Sequence, residues 1–244
     1  MKPVLSALGV INALGNNPID VLANLLAGKA PGMGRSDAWI PDRTTWTGTV
    51  SGELPAVPAH LAAFDCRNNR LLLAALAQIR DEITTAIALH GHDRIGVVIG
   101  SSTSGIAEGE TALAENIRTD HWPAHYDYRQ QEIGAPAEFV ARYLELPGVA
   151  MTISTACSSS AKAFGSARQL LELDLCDAVI CGGADSLCRL TLNGFSALES
   201  VSADRCEPFA AGRNGITIGE GAALFLMTRA PVGAPLVAPR IQLA

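Results

Sequence analysis

Two short runs, RIGVVIG at residues 94–100 and DAVICGG at 177–183, are apolar at nearly every position and close on glycine. A strand with one wet face alternates polar and apolar residues, whereas a strand without alternation is covered on both faces. The second run completes a unit: strand Ala150 to Ser154, a turn, helix Ser158 to Leu173, strand Asp177 to Cys181. That order is a βαβ crossover, and it predicts an α/β fold with a sheet between helices.

The remaining segments fit around this unit. Val4 to Ile11 reads as a strand. Ile19 to Ala27 reads as a helix, with Pro18 at its first position and Gly28 as terminator. Trp39 to Pro58, rich in Trp, Thr and Gly, has no helical period and is expected to be a loop with short strands. Leu72, Leu76, Ile79, Ile83 and Ile87 recur at helical spacing and Gly91 ends the run, which predicts one long helix from Arg67 to His90. Thr119 to Gln131 is expected to be irregular, and Pro136 to Leu146 helical.

At 244 residues, 48% apolar and 17% charged, the chain has the composition of a folded globule that buries roughly 70–75% of its unfolded surface. A net charge of -6 without any basic run argues against nucleic acid. No apolar stretch is long enough for a bilayer span, and MKPVLSALGV leads into NALGNNP instead of a cleavable hydrophobic region, so a cytoplasmic location is expected. Six cysteines without a CxxC pair predict free, mostly buried thiols, neither a disulfide framework nor zinc. His121 and His125 with Asp120 and Asp127 could be imagined around a metal. Pro123 between them opposes the regular helix that would align the imidazoles, and no metal is expected.

The stretch TISTACSSSA, residues 152–161, places Cys157 where an extended segment meets a string of small residues opening a helix. Unpaired N–H groups and the macrodipole at a helix start favour an anionic sulfur. Small neighbours leave room for a substrate, and the Cys157 N–H could face a developing oxyanion. A buried structural cysteine remains the alternative at this point. Ser158 to Ser160 lack a G-x-S-x-G frame and a later histidine, which sets aside a serine hydrolase.

TISTACSSSAKAF resembles the nucleophile motif of β-ketoacyl-acyl-carrier-protein synthases. VVIGSSTSGI before it, and CDAVICGGADS, NGFSALESVS and EPFAAGRNGITIGEGAALFLM after it, fall in the family's order. The wording SLCRLTLNGFSALESVS is similar to synthases of aryl-polyene pathways. The resemblance implies the N-terminal half of a thiolase-like fold, with a mixed sheet layered with helices and a buried helix after the nucleophile turn. It also implies that Cys157 accepts an acyl group for condensation with a malonyl thioester. No cofactor is implied beyond the phosphopantetheine arm of the acyl carrier protein. The family pairs through the strand here spanning Ala150 to Ser154, implying a homodimer or a heterodimer with a synthase subunit.

Residue by residue, the resemblance puts Thr103 and Phe195 on the acyl channel, with core packing as an equal alternative, and Arg67 and Arg70 near the carrier protein, with plain surface charge as theirs. Lys162 is expected to face solvent. Gly182, Gly183 and the Gly219-Glu220-Gly221 turn are expected to serve the backbone. The family also uses histidines, or a histidine and an asparagine, in its second half. His60, His90, His92, His121 and His125 all precede Cys157. Residues 1–228 are therefore expected to form the N-terminal synthase domain, and 229–244 a tail or the start of a missing C-terminal half. The rival expectation is a non-catalytic fragment or partner subunit that binds the carrier or a synthase.

Overall fold

The computed structural model describes residues 3–229 and 241–242. Strand β1 (Val4–Asn12) leads to helix α1 (Pro18–Leu26), then to the hairpin β2 (Met33–Ile40) and β3 (Arg43–Gly48). Helices α2 (Arg67–Ala77) and α3 (Arg80–His90) precede β4 (Ile95–Gly100), α4 (Ile106–Thr119) and α5 (Ala135–Tyr143). The crossover follows as β5 (Ala150–Ile153), α6 (Ser159–Glu172) and β6 (Ala178–Asp185). Helix α7 (Arg189–Ala197) and strands β7 (Ile218–Gly219), β8 (Gly221–Thr228) and β9 (Ile241–Gln242) complete the elements.

The large sheet has the order β5-β4-β6-β8-β1-β9, and β2-β3-β7 form a second, smaller one. β4 runs parallel to both β5 and β6, while β8 is antiparallel to β6 and β1. The sheet is therefore mixed, and the crossover passes over a strand: β5 and β6 flank β4 and do not touch.

Side chains divide by parity between the two faces. Ile95, Val97 and Ile99 of β4, Ala178 and Ile180 of β6, and Leu224 and Leu226 of β8 join α2, α3 and α5 in one core. Val98, Val179, Cys181 and Met227 point the other way, onto Ala163, Ala167, Leu170 and Leu171 of α6.

Several expectations need correction. The helix expected from Arg67 to His90 is two helices, because Ile79, the N-cap of α3, leaves helical geometry at φ -121 and ψ 20. Gln78 turns its amide onto β1, accepting from Val10 N at 3.1 Å and donating to Val10 O at 3.2 Å. Gln78 itself, at φ -77 and ψ -17, is still right-handed, so the break falls at Ile79, and an apolar period that continues through it conceals it. The helix after the cysteine turn is buried on one face only, since Ser160, Ala161, Lys162 and Gly165 are exposed. Strand pairing between β2 and β3 begins at Met33, ahead of the expected loop. Helix α4 occupies a stretch to which no helical period had been assigned. The expected tail at 229–244 lies outside the described residues except for Arg229 and the pair Ile241–Gln242, which adds to the edge of β1. Among the described residues no helix is long and apolar enough to cross a membrane.

Candidate active site

β5 ends at Ile153, and six residues later, at Ser159, the chain is in α6. The turn between them passes through Ala156 at φ +51, a left-handed conformation that costs a residue with a Cβ roughly 1–2 kcal/mol. Hydroxyl groups hold it there. The Ala156 carbonyl accepts from Ser102 Oγ at 3.0 Å, Ser159 Oγ at 2.6 Å and Ser159 N at 3.1 Å. The Thr155 carbonyl accepts from Ser158 Oγ at 2.9 Å and Ser158 N at 3.3 Å, and Thr155 N donates to Ser159 Oγ at 2.9 Å. Two of the three serines after Cys157 thus tie the turn, using the short side chains that favour helix starts.

The third serine shows why glycine stands at the end of β4 and, two residues before its end, in β6. Gly100 and Gly183 pair across β4 and β6. A Cβ on Gly100 would lie 2.4 Å from Ser160 N, and one on Gly183 would lie 2.1 Å from Ser160 Oγ. Without side chains there, the first turn of α6 settles directly on the strand ends.

Cys157 sits one residue before Ser158, the N-cap of α6, and is exposed. The other thiols differ. Burial pushes Cys66 and Cys181 up to about 12, and raises Cys176 and Cys188 as well. Such sulfurs stay protonated at neutral pH and are inert as nucleophiles.

Cys157 opens on a cavity of about 450 Å³, whose wall includes Ser102, Thr103, Asp185, Leu190, Phe195 and Leu198. Thr103 and Phe195, assigned from sequence to an acyl channel, are therefore brought to the same cavity as the cysteine. Phe195 arrives on α7, whose first turn is capped from α4: Glu110 accepts from Arg189 N at 2.9 Å and Leu190 N at 2.6 Å. Lys162 is exposed on α6.

Arg67 and Arg70 are not part of this cavity. They border a separate depression of about 920 Å³, and each has a partner within the chain. Arg67 Nε donates to the buried Glu220 at 2.6 Å, and Glu220 also accepts from Val50 N at 2.9 Å. Arg70 grips Asp65 at 2.6 and 2.7 Å. Glu220 is thus more than part of a backbone turn, because its carboxylate ties α2 to the loop after β3. A third depression, about 1160 Å³, runs along α5 and β5; neither of the two larger ones borders an exposed thiol. Among the described residues no cluster of three or more His, Cys, Asp or Glu side chains could hold a metal ion.

Sequence reasoning overlooked Ser102, Asp185 and Glu110. The available signal for Asp185 was a carboxylate ending an otherwise apolar strand; Glu110 had none, because α4 itself was not foreseen.

A cysteine thus stands on a serine-tied turn between the edge strand β5 and the start of α6. The chain belongs to the β-ketoacyl synthase family, matching the family's "Beta-ketoacyl synthase, N-terminal domain" over residues 4–232. It is 26% identical over 243 residues to 3-oxoacyl-[acyl-carrier-protein] synthase 1 of Haemophilus influenzae, covering 93% of this chain and 58% of that protein. It is 27% identical over 190 residues to Nodulation protein E of Rhizobium meliloti, covering 74% of this chain and 46% of that protein. Among solved structures, a chain in the complex of the ketosynthase ApeO with its chain length factor ApeC, from Xenorhabdus doucetiae, superimposes with a TM-score of 0.90 at 49% identity. That match covers 94% of this chain and 58% of the other. The chain spans about half the length of the curated relatives it matches. The fold is the thiolase-like α/β architecture of ketosynthases.

Proposed function

We propose that this chain is the nucleophile-bearing part of a β-ketoacyl-acyl-carrier-protein synthase acting in fatty-acid or polyene biosynthesis, the aryl-polyene type included. The observation that carries this reading is Cys157, an exposed thiol at a cavity shared with Thr103 and Phe195. The sulfur attacks the thioester carbonyl of an acyl group delivered on the carrier's phosphopantetheine arm. The new carbon–sulfur bond forms as the bond to the arm breaks, and the departing thiol takes up the proton that Cys157 released. The Cys157 N–H serves as an oxyanion donor, and no resident cofactor takes part.

Condensation demands more. The malonyl-derived enolate needs acid–base assistance worth roughly 10²–10⁴ in rate, and a missing oxyanion donor costs roughly 10²–10³. No histidine borders the Cys157 cavity among the described residues. This polypeptide alone is therefore assigned the acylation step, with the condensing groups supplied from outside it.

The partners we propose are the acyl carrier protein and a second synthase chain. β5 is the edge of the large sheet, and its outer side offers unpaired backbone groups to another strand. A second copy would give a homodimer. A synthase subunit would give a heterodimer, a reading favoured by the likeness to a ketosynthase and chain length factor pair. In that case the chain binds carrier or synthase without turnover. Arg67 and Arg70 are the candidates for carrier contact, with side chains 40% and 41% exposed, each already paired to a carboxylate of this chain, Glu220 and Asp65. We place the protein in the cytoplasm, where that carrier is charged.

Incubating the chain with an acyl-carrier thioester and measuring its intact mass tests the reading. One acyl group is expected on the Cys157 peptide, and none on Cys157→Ala. Identical spectra for the two proteins would favour the non-catalytic partner. A β-ketoacyl product made by this polypeptide alone from malonyl and acyl carriers would overturn the division of labour.

A further inference from the structure

We infer that Asp185 is the positioning residue for the nucleophile turn, acting on Cys157 through the hydroxyl of Ser102. The inference rests on the reading of Cys157 as nucleophile, but the coupling it describes is independent of acyl chemistry.

Asp185 is the last residue of β6, on the side of the sheet that faces α6. Its Oδ1 accepts from Ser102 N at 2.7 Å, Thr103 N at 3.0 Å, Thr103 Oγ1 at 3.0 Å and Ser101 Oγ at 3.2 Å. The hydroxyl directions are settled by what else each oxygen does. Thr103 Oγ1 accepts from Ser186 N at 3.0 Å, and Ser101 Oγ accepts from Ser104 N at 2.9 Å. With a carboxylate able only to accept, both hydroxyls spend their single hydrogen on Asp185.

Four donors converge on one oxygen, and a carboxylate holds them more strongly than the neutral amide oxygen of asparagine. The turn from Ser101 to Ser104 is thereby fixed, and Ser102 Oγ reaches across to the Ala156 carbonyl. Ala156 is the left-handed residue directly before Cys157. Asp185 thus reaches the thiol in two steps, carboxylate to Ser102 N, then Ser102 Oγ to Ala156 O. A corollary concerns Thr103: its hydroxyl hydrogen is committed to Asp185, so it shapes the cavity wall and does not donate to the acyl group.

The test uses the full chain and iodoacetamide, with alkylation at Cys157 and at half-buried Cys206 read by peptide mass spectrometry. Asp185→Asn is expected to slow Cys157 alkylation on the order of 10-fold, the scale set by losing a charge-assisted hydrogen bond. Ser102→Ala is expected to act alike, and the double variant to add little, because both cut one chain of contacts. Cys206 should be unchanged. Asp177→Asn, which breaks an ion pair with Arg94 at the other end of the sheet, should destabilise the protein without moving Cys157. If Asp185→Asn fails to fold, exposing Cys66 and Cys181 to the reagent, Ser102→Ala alone carries the test. The inference is overturned if either variant leaves Cys157 at its normal rate, if both cysteines slow together, or if the single effects multiply. A normal alkylation pattern in a protein that accepts no acyl group would instead sink the proposed function and leave this coupling standing.

Discussion

The two faces of the large sheet are covered unequally. One lies under α2, α3, α5 and the turn at Ala59–Phe64, with Phe139 fully buried among Phe64 and Tyr143. Among the described residues the other packs against α6, whose outer side shows Ser160, Ala161, Lys162 and Gly165, and beside it Leu8 of β1 is 39% exposed. The first face supplies most of the apolar burial that holds the fold; the second carries the turn of Cys157, the proposed nucleophile. Where packing is thinner, hydroxyl hydrogen bonds from Ser102, Ser158 and Ser159 secure the turn.

This contrast is open to direct attack. Phe139→Ala should cost about 3–5 kcal/mol in urea unfolding, as expected for a large buried aromatic, while Lys162→Ala should stay within about 0.5 kcal/mol. Equal costs would mean that the α6 side is not open in solution. Gly100→Ala comes next. Its Cβ would meet Ser160 N at 2.4 Å, so α6 must shift, at a cost of about 1–3 kcal/mol and a larger proportional loss in Cys157 labelling. Retained labelling would show that the turn tolerates a displaced helix.

The smallest effect lies at the far end of α6. Arg94 bonds Asp177 at 2.7 Å and holds its carboxyl below the ordinary range, and Arg229 does the same for Asp174. Carboxyls with lowered folded values contribute stability above their unfolded value, about 3.9, and lose it as pH falls through the folded one. The gap in Tm between the parent protein and Asp177→Asn should therefore be full at pH values above about 4 and close below it. A gap that widens in acid would reverse the assignment.

How much of this was legible depended on distance along the chain. β4, β6 and the start of α6 announce themselves locally, through unbroken apolar runs and a cysteine among small residues. Helix α4 did not, because its buried stripe is made of Gly109 and Ala112, too small to register as an apolar period. The break between α2 and α3 is set by Gln78 bonding to β1, 68 positions away, and no local pattern encodes it. Nor does the sequence say that the crossover steps over β4. Asp185 and Ser102 were missed for the same reason: each finds its meaning in a partner on another strand or turn.

The bonds that shape the nucleophile turn join residues 54 positions apart, from Ser102 to Ala156, and 82 to 83 apart, from Thr103 and Ser102 to Asp185. Contacts so distant carry a loop-closure cost and require β4 and β6 to be paired, since Ser102 follows β4 and Asp185 ends β6. The turn around Cys157 therefore lacks these contacts until the chain has been synthesised through Asp185, and a shorter nascent chain holds that cysteine without them.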